Sequence, residues 1–459
     1  MPPKVSVVIP SYNHGTYVER AIRSALHQDV GDLEVVVVDD GSTDDTRQRI
    51  VKLDDARLTY IRQENHGLPA ARNAGIRAST GELLAFLDAD DEFDRNKLAR
   101  QIAFLENNPE VGLAYNSRLF VDVENQPLFL DRAPRVVSIE EILAGYPFAP
   151  SDVVVRREWA ERVGCFDESY VHFSEDLDFH LRLALAGCRF AGVDGALTYR
   201  RAHGGRIHPN IEARARAARR AIDLAVSDPR CPDEVRGLRD AAVASRYVTW
   251  SYHAGAQGDA RLACELMSQA KRLNAAVWAA DIRPVLDVWI ASSLVEGDAY
   301  EERLRRAIET LAPVGPEMAI HADWAVGRGY LLLGARDVIW GRAEQGERKL
   351  LVGRRLHGPL SADLLRNVAH AILELEAEFG ESEGDRARGA LRRSLSRVGT
   401  SSDLRFLEGC VSFNLAFASM ERRQYAQVRR DAFRAIRCHP AFLANRGLLR
   451  VLLRSILHG

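Results

Sequence analysis

Over the first hundred residues, short apolar runs closed by polar clusters alternate with amphipathic stretches. Residues 4–10 (KVSVVIP) are β-branched and stop at Pro-Ser-Tyr-Asn, which predicts a strand; residues 16–27 then carry a helical pattern. LEVVVVDDGS repeats the plan, with a helix opening near Asp44, and RLTYIRQ predicts a third strand. LPAARNAGIRA predicts a helix with Pro69 in its first turn. GELLAFLDADD predicts a fourth strand, after which Asp94 is placed to cap RNKLARQIAFLENN. Uniformly apolar strands separated by helices imply an α/β domain, a mostly parallel sheet between helices. Such sheets bind ligands outside the carboxyl ends of their strands. Tyr12 and Asn13, Asp39 and Asp40, and Asp88 to Asp91 are all expected at that edge.

From about Pro209 the pattern becomes Ala-, Leu- and Arg-rich and helical throughout. The expected division is 1–209 for the α/β domain and 210–459 for an all-α domain, joined by the basic helix NIEARARAARRAIDLAV. Residues 253–274 and 421–440 share a helix-turn-helix texture, with Ala263, Met267 and Ala270 matching Val428, Ala432 and Ala435. Small residues at those offsets let paired helices approach closely, and the texture resembles tetratricopeptide-type repeats. The units between keep no clean period in sequence, so a solenoid and an irregular bundle both remain open.

A chain of 459 residues exceeds one ordinary core, and 46% apolar with 27% charged residues is a globular mixture. No apolar run suits a membrane span and residues 1–11 do not read as a signal peptide, so a cytoplasmic protein is expected. Six cysteines occur without metal-ligand spacing, which favours free thiols. The net charge of −2 conceals an asymmetry: residues 1–209 hold 24 Lys and Arg against 33 Asp and Glu, and the rest hold 38 against 31. The acidic front half disfavours nucleic acid as a partner. In the final segment, Arg446, Arg450 and Arg454 form an i, i+4, i+8 stripe on an otherwise apolar helix. Peripheral contact with a membrane face and closure of a helical bundle are both compatible with it.

The stretch ELLAFLDADDEF is the chemical centre of the sequence. Acidic turns are common, but carboxylates gathered at a ligand edge repel one another unless a cation lies among them. Oxygen ligands of this kind suit Mn²⁺ or Mg²⁺ shared with a diphosphate.

VSVVIPSYN, VVVVDDGSTDDT, NHGLPAARNAGI, GELLAFLDADD, GCFDESY, SEDLDFHLRLALAG and TYRRAHGG occur in this order. The ordered set resembles the family 2 glycosyltransferases of the GT-A fold over residues 4–208. That resemblance implies an inverting transfer from a nucleotide-diphospho-sugar donor, often a UDP-sugar, to a hydroxyl of a carbohydrate or glycoconjugate acceptor, in cell-surface or secreted polysaccharide synthesis. It implies that Pro10 and Tyr12 line the nucleoside pocket, and that Asp39 and Asp40 face the nucleoside, Asp40 reading a base N–H while one of the two caps the Gly41-Ser42 turn. Arg72 and Asn73 would contact the nucleotide, with a solvated helix charge as the other reading of Arg72. Asp88 would bind ribose or support the metal, Asp90 would ligate the metal, and Asp91 with Glu92 would cap the next helix in solvent. Asp176 corresponds to the general base and Glu175 would orient hydroxyls. His203 would complete the metal shell or touch the diphosphate, with His208 competing, and Arg206 and Ile207 depart from the family pattern. No Gly-rich phosphate loop follows the first strand, which disfavours nucleotidyltransferase and dinucleotide oxidoreductase readings. An inactive glycosyltransferase-like scaffold is the remaining alternative. In either case the helical half could bind a protein or lipid-linked partner, pair with a second copy, or buttress the acceptor side.

Overall fold

The computed structural model describes residues 3–145, 148–170, 173–203, 210–278, 281–294 and 299–457. Four parallel strands form one side of the sheet: β1 (Val5–Ser11), β2 (Leu33–Asp39), β3 (Leu58–Arg62) and β4 (Leu83–Phe86), in the order β3-β2-β1-β4. Alternation along these strands assigns each residue to a face. Val5, Val7, Ile9, Val35 and Val37 join a core with α1 (Gly15–Leu26) and the helix Lys97–Asn107, whereas Val36 and Val38 pack with Ala71 of the helix Leu68–Ala78. Gly75 permits that second contact, because a Cβ there would lie 2.3 Å from Val8 Cγ1. Numbered in chain order, the helices between these strands are α2 (Thr46–Ile50) and α3 (Leu68–Ala78).

Beyond β4 the sheet becomes mixed. β5 (Glu92–Phe93), α4 (Lys97–Asn107), β6 (Val111–Val121), β7 (Pro127–Asp131), α5 (Ile139–Gly145), β8 (Val153–Arg156), α6 (Arg157–Arg162), α7 (Glu175–Leu185) and β9 (Arg189–Arg201) continue the order as β4-β8-β6-β9-β5. β8 runs antiparallel to both β4 and β6, β9 is parallel to β6, and β5 pairs antiparallel with β9. The expected helix-capping residues around Asp91 and Glu92 thus include a short strand. Asp94 supports the turn before α4, accepting from the Asn96 amide at 2.9 Å and from Tyr199 Oη at 2.8 Å, and the cap position itself is Asn96.

After β9 the described residues are helical: α8 (Ile211–Ser227), α9 (Asp233–Arg236), α10 (Arg239–Ala256), α11 (Ala260–Leu273), α12 (Arg283–Ser293), α13 (Tyr300–Leu311), α14 (Pro316–Ile320), α15 (Ala322–Ile339), α16 (Ala343–His357), α17 (Ala362–Phe379), α18 (Glu381–Val398), α19 (Ser401–Glu421), α20 (Tyr425–Cys438) and α21 (Arg446–Leu457), with short 3₁₀ turns. The expected boundary at 209/210 falls at the edge of residues 204–209, outside the described set. By compactness the chain falls into two units, 1–319 and 320–459, so that α8 and α10 share a unit with the sheet, packing on α7 and α5 respectively.

Burial uncovers a period that residue identity conceals. The second helices of the pairs α10/α11, α12/α13, α15/α16, α17/α18 and α19/α20 bury a triplet at i, i+4, i+7. These triplets are Ala263-Met267-Ala270, Leu304-Ile308-Leu311, Gly346-Leu350-Gly353, Ala387-Leu391-Ser394 and Val428-Ala432-Ala435. Their first members are 41 or 42 residues apart. The helix-pair repeat is therefore longer than the roughly 34 residues of a tetratricopeptide unit. In three pairs the turn places one residue in the left-handed region, two positions before the second helix: Gly258 (φ 84°), Gly341 (φ 89°) and Arg423 (φ 58°).

Candidate active site

The ends of β1 and β2 adjoin, since Pro10 pairs with Val38 and Ser11 with Asp39. Tyr12 follows at 45% exposure, its ring available to a planar partner. Asn13 (φ 55°) stiffens the turn by accepting from the Thr43 amide at 2.8 Å while its own amide donates to Ser42 Oγ. Asp39 and Asp40 are buried and already engaged. Asp39 accepts from the Ser42 amide and Tyr60 Oη, both at 2.8 Å, which makes it the cap of the Gly41-Ser42 turn. Asp40 accepts from Gln63 Nε2 at 2.7 Å and from the His66 and Gly67 amides at 3.0 and 2.8 Å, fixing the loop into α3.

Asp88, Asp90 and Asp91 each offer a carboxylate oxygen within 4.8 Å of the others. They have different partners. Asp91 is buried, accepting from Ser151 Oγ at 2.9 Å and from the Arg201 amide at 3.2 Å. Glu92 pairs with Arg20 at 2.9 Å and with Arg201. Both acids thus serve the fold, in place of the solvated caps expected for them. Asp90 lies 2.9 Å from His203 Nε2, joining two residues 113 positions apart, while His208 lies outside the described residues. The three carboxylates gather oxygen ligands of the kind that Mn²⁺ or Mg²⁺ takes, and His203 adjoins them through Asp90.

Arg72 is 1% exposed, which excludes a solvated helix charge. Its guanidinium donates to Asp88 Oδ1 at 2.9 Å and to Glu175 Oε1 at 2.5 Å, over the Phe166 ring. Asn73 holds the Phe166 backbone and Glu168. Burial, and next the charge of Asp176, push Glu175 above the usual carboxylate range, while Arg72 acts in the opposite direction. Against Arg72 itself, burial is outweighed by Glu175, Asp88 and Asp176, so the guanidinium stays charged.

Two residues in the left-handed region, Phe173 (φ 108°) and Ser174 (φ 66°), lead into Glu175 and Asp176 at the start of α7. Each such residue costs about 1–3 kcal/mol and persists only where its surroundings impose it. Arg214 of α8 is among those surroundings: its Cζ lies 3.4 Å from the Phe173 ring centroid and 5.4 Å from that of Trp250. Burial lowers the Arg214 pKa to about 10, against the pull of Asp176 and Glu175, and the group remains a cation at neutral pH. Sequence reasoning had no signal for Arg214, which sits among several arginines of α8, nor for Ser151.

A sequence profile of Glycosyl transferase family 2 matches residues 6–144. A Bacillus subtilis strain 168 glycosyltransferase named for teichuronic acid biosynthesis, TuaG, is 30% identical over 200 residues, 42% of this chain and 77% of TuaG. The chain belongs to glycosyl transferase family 2. The Escherichia coli protein WfaP, named as a UDP-Glc:α-D-GlcNAc-diphosphoundecaprenol β-1,3-glucosyltransferase, is 28% identical over 45% of this chain and 80% of its own. An uncharacterized glycosyltransferase of Nostoc sp. is 43% identical over 116 residues, and there the chain spans only 36% of the relative's length. Among solved structures, the Pyrobaculum calidifontis mannosyltransferase PcManGT with GDP-Man and Mn²⁺ overlaps 70% of this chain and 87% of its own at TM-score 0.44 and 21% identity. The family assignment and the observed mixed sheet define a GT-A-like domain followed by an all-helical region.

Proposed function

We propose that the chain is an inverting, metal-dependent glycosyltransferase that moves a sugar from a nucleotide-diphospho-sugar, in the first place a UDP-sugar, to a hydroxyl of a carbohydrate or glycoconjugate. The observation that carries this reading is the Arg72 bridge, which ties the acidic cluster after β4 to the Glu175-Asp176 pair through one guanidinium. Residues 1–209 form the catalytic module in this reading. The family names of WfaP and TuaG support a cell-envelope polysaccharide as its destination.

The Tyr12 ring stacks on the base and Pro10 shapes the floor beneath it. A carboxylate has about four acceptor sites, so Asp40, with three occupied, keeps one for a base N–H, and Asp39 fixes the turn beside it. Asp90 and His203, with Asp88 adjacent, would hold a divalent cation, which when bound supplies positive charge to the departing nucleoside diphosphate. Asp176 accepts the acceptor hydroxyl's proton as that oxygen bonds to the anomeric carbon and the bond from this carbon to the diphosphate oxygen breaks. Glu175, gripped by Arg72, orients hydroxyls, and Arg214 positions the base by clamping Phe173. Holding the reactants in line and neutralising charge account for most of such a rate enhancement.

The test is a nucleotide-sugar screen scored by release of nucleotide, with and without divalent metal. Asp90→Ala should weaken metal-supported donor binding, and Asp176→Asn should keep donor affinity while losing transfer by ~10²–10⁴-fold. Transfer by Asp176→Asn at the wild-type rate would refute the base assignment. Metal-dependent donor binding without any turnover would favour the scaffold reading.

A further inference from the structure

The positive balance of the back half has a single location. Residues 210–421 carry 29 Lys and Arg against 30 Asp and Glu, whereas residues 422–459 carry 9 against 1. Many arginines of the earlier repeats are paired, as in Arg305 with Glu301, Arg388 with Glu376 and Arg397 with Glu347. In the last helix pair, among the described residues, none of the nine has a carboxylate within ion-pair distance. Arg429 donates to the Ser455 carbonyl and Arg430 to the Gln427 side chain, both neutral, and the one acid, Asp431, is buried.

These charges are interleaved with apolar surface. α21 turns Leu448, Leu452 and Ser455 inward and leaves Arg446, Arg450 and Arg454 exposed, one turn apart. Beside that row, Leu453 is 61% and Ile456 54% exposed. On α20, Phe433 (57%) stands among exposed Arg430, Arg434 and Arg437, and Leu443 (53%) lies in the connection. The terminal pair of a helical repeat array ordinarily has a polar outer face. Nucleic acid would match the arginines but leave the aliphatic side chains without a role. An anionic bilayer uses both, since phosphate head groups attract the guanidinium groups, their stems lie along apolar surface, and the aliphatic side chains enter the acyl boundary. No described helix is long and apolar enough to cross a membrane, so such contact would be peripheral.

We propose that the outer face of α20 and α21 docks on an anionic lipid surface. The whole chain should cosediment with vesicles of phosphatidylcholine plus phosphatidylglycerol and stay in solution with phosphatidylcholine alone, with binding weakened by salt. Each arginine is worth about fivefold in partitioning, so Arg446→Gln with Arg450→Gln and Arg454→Gln should lower it on the order of a hundredfold. Leu453→Ser with Ile456→Ser should lower it without changing the salt slope. Both variants should retain wild-type helix content and nucleotide release, which separates docking from folding and from the catalytic proposal. Equal binding to neutral and anionic vesicles, indifference to the triple replacement, or capture of a single-stranded oligonucleotide with no vesicle binding would each overturn the proposal.

Discussion

Charge is used in opposite ways at the two ends of this chain. At the sheet edge, Arg72 is inaccessible and bound to two carboxylates, and Arg201 is enclosed with Glu92. On α20 and α21, six arginines stand in solvent with no carboxylate at ion-pair distance among the described residues, the one acid of the segment, Asp431, being buried. A buried pair contributes little net stability but fixes where its partners sit, and removing one partner is costly. Exposed, unpaired charge contributes nothing to position and acts across a Debye length on whatever approaches. The comparison teaches that abundance of arginine says little until the counter-charges are located.

The comparison breaks most sharply at Arg72. Arg72→Leu strands Glu175 in the interior, with an expected loss of ~3–5 kcal/mol in denaturant unfolding and of nearly all transfer. Adding Glu175→Gln should restore much of the stability and none of the activity.

A second effect, ~1.4 kcal/mol per pH unit, concerns His180, whose ring packs against Phe148 with its pKa dropped to about 3 by burial and then by the Arg72 charge, Asp152 opposing and Arg182 adding. The unfolded chain binds this proton near pH 6.5 and the folded chain refuses it until about pH 3. The contribution is therefore intact above pH 6.5 and lost as pH falls through that window. His180→Asn should remove this slope, so that the difference in unfolding free energy between wild type and variant changes by ~1.4 kcal/mol per pH unit across it.

Arg214→Ala, by releasing Phe173, should lower kcat about tenfold with donor KM unchanged, and Arg214→Lys should recover part of the loss. The smallest change sharpens the helical side. Arg423→Gly removes an unfavourable left-handed residue where two sister turns already use glycine, and should add about 1 kcal/mol, seen as a rise in Tm.

The legible parts of the sequence were those in which one residue type carries its own physics. A valine-rich run stopped by Pro-Ser-Tyr-Asn and another stopped by two aspartates could hardly be anything but β1 and β2, and Asp90 and His203 meet although 113 residues separate them. Contacts that depend on distant segments left no local trace. The antiparallel insertion of β8, the burial of Asp91 by Ser151 and Arg201, and the course of Arg72 toward Glu175 all arise from chain crossings. The repeat was hidden for another reason: its key position accepts Ala, Leu, Gly, Ala and Val, sharing closeness of packing and no common identity.

The Arg72 bridge also bears on the sequence of events in a catalytic cycle. One side chain grips both Asp88 and Glu175, which the proposed mechanism assigns to the donor and acceptor sides, so a ligand that draws Asp88 aside would alter the restraint on Glu175. Substrate addition in a compulsory order, donor leading, is the kinetic signature of such a strut. Product-inhibition patterns would distinguish it from random addition.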